Sequence, residues 1–457
     1  MKKIILAICV SSVSFIFAQD HFGGINTSRR VGLLNVGMNP SELANLSSKF
    51  ELQLFGASIN VSNNKISFND IIEGKDLESR LFNGNDGTNA NLSVQIAAPG
   101  FAFRVKDWAF AITTNAFIQG NLIDFDANFG RNLAVQNNIS GASIAFGNNA
   151  NQRFNATTWG EIGFSVARKI FEKGNHIING GLTVKLMASG VYSNFGAERF
   201  SGVLRSYTAS PNPTELYLSN VNNATLNLAY SANMTGNFSS LENYTSNLIG
   251  GINGFGTDFG FNYIWKKSAN SYKLKAGFSM RNIGSMTFKG NNNQSTNYSL
   301  TIPVGTDANK GLNISVFDNV TSLAQLEQTL SNTPGITFTK LSQENEFEVN
   351  LPTVVNLYAD YNITSKFNVT MFMQRRAGNN SDNNQISSEN FFSVTPRVDF
   401  GFFETFVPIS VNEISGTTSG LGFRLGGFFV GSNSIVTALI NDTKQADLYF
   451  GFRVGFL

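Results

Sequence analysis

The side chains best suited to chemistry are charged residues set in alternation with apolar ones. Arg281, Arg424, Arg453 and Lys275 fall on the polar side of such stretches, as do Glu51, Glu161, Asp258, Asp360, Asp399, Asp447, Lys185, Lys273 and Arg397. One reading is a network of ion pairs that fills an interior. The other is an arginine that holds an anionic headgroup, because a guanidinium grips a carboxylate at two points. Arg281, Arg424, Arg453 and Lys275 are therefore the candidates for ligand contact. Catalysis has little to draw on. The only histidines are His21, in a flexible start, and His176, at a short turn, so no imidazole base stands ready for a nucleophile. The only cysteine, Cys9, lies in the N-terminal apolar run, which leaves no disulfide, thiol or Cys/His zinc chemistry. The Gly-x-Gly patterns sit on alternating stretches with no helix after them, unlike a phosphate loop. No enzymatic activity, cofactor, metal or nucleic-acid partner is expected.

Those charges must be positioned by strands, because residues two apart share a face only in extended chain. The last stretch is the cleanest: Ala446, Leu448, Phe450, Phe452, Val454 and Phe456 alternate with Asp447, Tyr449, Gly451, Arg453 and Gly455. Phe255, Phe259, Phe261, Tyr263 and Trp265 alternate with Gly256, Asp258, Gly260 and Asn262 in the same way. Charged residues make up 14% of the chain, with 43 glycines and 42 phenylalanines, against roughly 25% charged in a soluble domain. No segment after the start offers the roughly 18 apolar residues of a spanning helix. Composition alone leaves a secreted β-sandwich or β-helix open beside a membrane β-barrel. Met1-Lys2-Lys3, an apolar run from Ile4 to Ala18, then Gln19-Asp20 reads as a secretory signal peptide over residues 1–18.

Connection lengths favour the barrel. Strands are expected at 49–61, 91–106, 108–120, 157–170, 177–193, 254–266, 271–288, 353–362, 366–377, 389–401, 404–411, 419–431, 434–440 and 446–457. Short turns, such as Lys106-Asp107, Glu172 to Asn175 and Gly431 to Ser434, alternate with longer loops, so the short ones share one end. Outer-membrane barrels have short periplasmic turns and long extracellular loops; a sandwich has no reason to segregate them. The expected fold is all-β: an antiparallel transmembrane barrel of about fourteen strands over residues 49–457, in an outer membrane. Trp108, Trp265 and Tyr361 fall near short turns, where an aromatic girdle would lie. Loop helices are expected at 70–82 and 319–330, and a loop strand near 223–233. Pro99-Gly100 interrupts the second strand: Leu92, Val94 and Ile96 point one way, and Phe101, Phe103 and Val105 take the opposite parity. That is the phase slip of a β-bulge, either a tolerated kink or a lateral gate for a ligand.

Residues 19–48 precede the first strand and contain Gly37-Met38-Asn39-Pro40-Ser41-Glu42-Leu43-Ala44. Asn39-Pro40 reads as a turn into a short helix, and a helix at the mouth of a barrel has its natural place inside, as a plug. Together with Gly254 to Gly260, Arg281-Asn282-Ile283-Gly284, Leu351-Pro352-Thr353 and the closing Tyr449 to Arg453, this segment carries a resemblance. The chain resembles the long-chain fatty-acid transporter (FadL-type) barrels. More closely, it resembles a Bacteroidetes barrel family related to the type IX secretion barrel PorV. The resemblance implies a plugged fourteen-stranded barrel that takes up hydrophobic or amphipathic small molecules and releases them sideways. The closing strand, with Phe456 next to the terminus, resembles the signal by which outer-membrane barrels are handed to the barrel assembly machinery, and outer-membrane lipid is the other expected partner. The alternative is a non-transporting barrel, a secretion-system partner or a surface scaffold.

Overall fold

Closure of the sheet on itself defines the architecture. The computed structural model describes residues 21–134, 143–208, 214–232, 249–268, 271–290, 292–306, 309–440 and 442–456; the expected signal peptide lies outside them. The wall strands are β1 (Phe50–Asn63), β2 (Thr88–Ala97 and Gly100–Val105), β3 (Trp108–Phe125), β4 (Gln152–Lys173) and β5 (His176–Glu198). Next come β6 (Ile252–Ser268), β7 (Ser271–Phe288), β8 (Val354–Asn362), β9 (Phe367–Arg376) and β10 (Phe391–Asp399). β11 (Phe403–Phe406 and Ile409–Asn412), β12 (Gly416–Ser419 and Leu421–Leu425), β13 (Phe428–Ser432) and β14 (Gln445–Phe456) complete the fourteen. Each pairs antiparallel with the next, and β14 pairs with β1 from Phe50–Phe456 to Ser62–Gln445. No edge remains.

The alternation has the effect the sequence anticipates. On β14, Leu448 and Phe450 are 44% and 40% exposed, whereas Tyr449 and Arg453 are 1% and 0% exposed. The outer surface is an apolar belt of the kind such barrels turn to lipid, and the inner face is polar and filled. Trp108, Trp265 and Tyr361 are exposed near the short-turn end. At the other end β4 and β5, 22 and 23 residues long, exceed the roughly 9–11 residues needed to span a bilayer. The extensions pair with each other, and that of β5 pairs in turn with Val221–Tyr230, which pairs with Gln294–Ile302. A small second sheet, built on Phe200–Thr208 and Thr214–Ser219, and the Leu323–Asn332 helix complete a dome.

Two expectations need correction. The thirteenth strand is not at 434–440, and Gly431 to Ser434 is not a hairpin turn. The hairpin turns at Gly426-Gly427, where Gly426 has φ +59 and a Cβ on Gly427 would lie 1.9 Å from the Arg453 carbonyl. Ile435–Ile440 is instead a short helix, because Asp447 accepts hydrogen bonds from the Asn433 amide (2.7 Å) and Ser434 Oγ (2.8 Å) at its start. Lys273 does not face inward either. Register shifts between β6 and β7 turn Tyr272 inward to donate to Asp360 and leave Lys273 Nζ over the Tyr361 ring, 5.1 Å away.

Residues 21–48 lie inside the barrel. The Leu33–Met38 helix is followed by a 3-10 turn, Pro40–Asn45, whose start is capped by the Asn39 side chain accepting from the Ser41 amide. Asn39 Nδ2 donates to the Phe261 and Phe278 carbonyls at 3.1 Å each. Ser279 Oγ donates to the Met38 carbonyl at 2.8 Å. Inner-face glycines make the seat: a Cβ on Gly260 would lie 2.1 Å from Asn39 Oδ1, and one on Gly181 would lie 2.4 Å from Pro40 C. Gly260→Leu is therefore expected to unseat the plug while the barrel still folds. Single-channel conductance in planar bilayers should rise severalfold over wild type; unchanged conductance from a folded variant would contradict this account of the seat.

Candidate functional site

Charges buried in a protein interior must be paired, and the lumen obeys this almost everywhere. Arg397 pairs with Glu404 at 2.8 Å, and Arg424 Nε reaches the same carboxylate at 2.9 Å. Ser28 Oγ of the plug donates to Glu404 at 2.6 Å, and Arg397 donates to the Gly24 carbonyl at 3.0 Å. Arg453 lies 3.7 Å from Glu51 and donates to the Arg30 carbonyl at 2.8 Å. Lys275 pairs with Glu42 of the plug at 2.9 Å. Three of the four residues read from sequence as ligand contacts, Arg424, Arg453 and Lys275, are thus enclosed by carboxylates and the plug, and none lines either cavity described below. Lys275 and Arg453 meet the plug directly, and Arg424 shares with Ser28 of the plug the Glu404 carboxylate.

Arg281 differs. Among the described residues no carboxylate pairs with it, and its Nε is buried without a hydrogen-bond partner. It borders a lumenal cavity of about 180 Å³ between the plug's Leu33, Leu34 and Met38 and the wall. Buried polar atoms without partners cluster around this cavity: Trp159 Nε1, Asn60 Oδ1, Asn91 Oδ1 and Ser388 Oγ accompany Arg281 Nε. His21, expected to be flexible, also borders it, with Nε2 2.9 Å from Ser93 Oγ.

Pro99 and Gly100 lie at the same level. Pairing of β2 with β1 stops at Gly56–Ala97 and resumes at Gln53–Gly100, so Leu54, Phe55, Ala98 and Pro99 face one another without ladder pairs. β1 is itself bulged there against β14, between Gln53 and Phe55. Ala98 and Gly100 border the lumenal cavity, so this lapse adjoins the cavity directly.

Above the cavity the 377–390 loop turns into the barrel mouth, where Ile386 is fully buried. Arg153 of β4 donates to the carbonyls of Asn380 (2.5 Å), Asn383 (3.3 Å) and Gln385 (3.0 Å). Tyr192 Oη adds a 2.6 Å bond to Asn383 O, and Gln119 Nε2 one to Ser387 O at 2.6 Å. Glu389 ends the loop, accepting from Ser62, Asn91 and Asn412; burial pushes its carboxyl above the usual carboxylate range despite those bonds.

Across this loop, in the dome, lies a second cavity of about 140 Å³. Phe125, Phe129, Phe154, Phe200, Leu300 and Leu323 are among its walls, and Gln152, Arg153 and Ser193 are its polar neighbours. Sequence reasoning missed it. Val320, Leu323, Leu326 and Leu330 belong to the helix expected at 319–330, but the phenylalanines that complete the cavity are dispersed over separate strands and loops. The arrangement is a stack: apolar chamber, looped partition, polar chamber, plug. Arg153→Met should leave several loop carbonyls unpaired. Hydrogen exchange of amides 383–387 should quicken about a hundredfold, since one bond to a charged group is worth roughly 1.5–3 kcal/mol; unaltered exchange would mean that other contacts hold the loop.

Comparison with known proteins supplies a family and several barrels of similar outline. Structures similar to this chain include the Ralstonia pickettii toluene transporter TbuX, at 10% identity over 94% of this chain and 95% of that one, TM-score 0.39. A Pseudomonas aeruginosa FadL homologue shows 8% identity over 96% and 99%, TM-score 0.41. The Pseudomonas putida toluene transporter TodX shows 7% identity over 96% and 98%, TM-score 0.38. No curated protein matches the chain. The model of the family described as "Family of unknown function (DUF5723)" matches residues 42–433, and the chain belongs to that family.

Proposed function

We propose that this protein is an outer-membrane channel for hydrophobic or amphipathic small molecules, loaded from the dome and emptied sideways through the wall. The observation that carries this reading is the dome cavity. Protein interiors hold few voids larger than a water molecule, and an unfilled 140 Å³ void costs about 3 kcal/mol at roughly 24 cal/mol per Å³. Apolar cavities of about this size stay dry and take up small aromatics. A chamber lined mainly by phenylalanine and leucine is suited to an apolar ligand.

The route inward passes the Arg153-held loop to the lumenal chamber. There Arg281 offers its unpaired guanidinium to an anionic headgroup. Pro99-Gly100, beside that chamber, is the exit to lipid, because the β1–β2 ladder lapses there and the plug blocks the axial way out. With the short turns in the periplasm, as in other outer-membrane barrels, the dome faces outside.

Cavity filling tests the first step. Ala197→Phe in the dome wall should lower toluene and decanoate binding at least about tenfold without lowering the melting temperature, since it fills space left empty; undiminished binding would remove the dome from the route. Arg281→Met should weaken decanoate about tenfold or more, the scale of one lost charge-assisted bond, and leave toluene unchanged. Equal loss of both would deny Arg281 a headgroup role. For the exit, a disulfide between Phe55→Cys and Ala98→Cys should stop uptake into cells when oxidised and restore it on reduction. Uptake indifferent to the cross-link would place the exit elsewhere.

A further inference from the structure

The wall between β12 and β14 is incomplete toward the long-loop end, and a helix occupies the gap. β13 has only five residues, Phe428–Ser432, paired with Leu421–Leu425 on one side and Tyr449–Phe452 on the other. At roughly 3.4 Å per residue and a tilt of about 40°, such a strand climbs about 13 Å, half of the roughly 25 Å apolar band of an outer-membrane barrel. Above it, Gly416–Ser419 of β12 pairs with β11 and Gln445–Leu448 of β14 pairs with β1, but among the described residues neither has a strand on its β13 side.

The Ile435–Ile440 helix fills that space. Thr437 Oγ accepts from the Ser419 amide at 2.5 Å and donates back to the Ser419 carbonyl at 3.4 Å, so its one polar side chain is bound to the neighbouring strand. Gly420 admits the crossing chain: a Cβ there would lie 1.9 Å from Ser432 O and 2.3 Å from Asn433 Cα. Ser432 Oγ accepts from the Ile435 amide at 3.1 Å, and Asp447 holds the two residues before it. Every other side chain from Ile435 to Ile440 is apolar, and none is buried. Leu439 and Ile440, each 80% exposed, are the most exposed large apolar side chains among the described residues. Val411, Phe423 and Leu448, on the strands around the gap, are 52%, 39% and 44% exposed and belong to the outer belt.

From these we infer that the Ile435–Ile440 helix is a wall segment immersed in the lipid leaflet at the long-loop end, with acyl chains against Ile435, Leu439 and Ile440. Three features converge on lipid as the occupant. The helix continues an existing apolar belt without a break. Its height lies within the apolar band, because the strand beneath it ends halfway up. Polar residues return immediately above it, where the Phe68 amide donates to the Thr443 carbonyl at 2.8 Å and the Asn69 amide to Asp442 at 3.3 Å. A helix also suits the setting: backbone polar groups in hydrocarbon must be paired within the segment or by neighbours, and a half-strand with no partner could not do that.

Site-directed spin labelling in liposomes tests this. Leu439→Cys, Ile440→Cys and Ile435→Cys are made separately with Cys9→Ser, which removes the chain's only cysteine. Phe423→Cys serves as the lipid reference and Leu341→Cys, 59% exposed on the dome's outer strand, as the water reference. The helix labels should be relaxed strongly by oxygen and weakly by a water-soluble nickel chelate, matching Phe423→Cys. Nickel relaxation like that of Leu341→Cys would overturn the assignment, and so would exclusion of both reagents, which would mean that protein covers the helix. Because the three positions carry no buried contacts, heat-modifiable gel mobility should confirm a folded barrel for each, and agreement between two of the three sites decides the outcome.

Discussion

Hydrogen bonding between the first and last strands is the interaction on which the remaining architecture rests. In hydrocarbon an unpaired backbone amide or carbonyl costs several kcal/mol, so a spanning sheet must close. The β1–β14 ladder runs almost the full length of both strands. Once closed, the pleat leaves every strand with one face outside and one inside, and the two faces obey different solvents. Phenylalanine and leucine outside, and asparagine, serine, glutamate and arginine inside, follow from that division.

An interior lined with charge then needs counter-charges and donors, and much of what satisfies it comes from residues 21–48. Glu42 meets Lys275, and backbone carbonyls of the segment meet Arg397 and Arg453. The plug is thus an internal electrostatic complement as well as an obstruction, and its glycine-lined seat reflects how closely two backbones must approach. Arg281 stands apart because no such complement reaches it among the described residues.

The sequence made the wall legible because alternation is a local signal, repeated strand after strand, and because turn and loop lengths segregate along the chain. It failed at β13, where five residues of alternation are too few to outweigh a misleading Gly-Ser-Asn-Ser turn signature, and where a carboxylate fourteen residues away holds the residues that lead into a helix instead. It failed at Lys273 because register shifts are properties of a strand pair. The polar lumen was visible as a set of charges, yet their partners were not, since Arg397, Arg424 and Arg453 differ from Arg281 only in what the fold sets beside them. The dome chamber was invisible because its walls come from segments whose proximity is purely tertiary.

Closure also constrains how the molecule can be made. The bonds that seat the plug join Ser28 to Glu404 and Arg453 to Arg30, separations of 376 and 423 residues. The ladder that closes the cylinder is of similar span. Contacts so distant in sequence make for slow folding. Until β10 to β14 have been synthesised, the N-terminal segment has no ionic partners on that side and the open sheet has nothing to end against. Threading the plug and sealing the wall therefore both wait on the C-terminal strands, and a chain truncated before its final strand would lose partners for each.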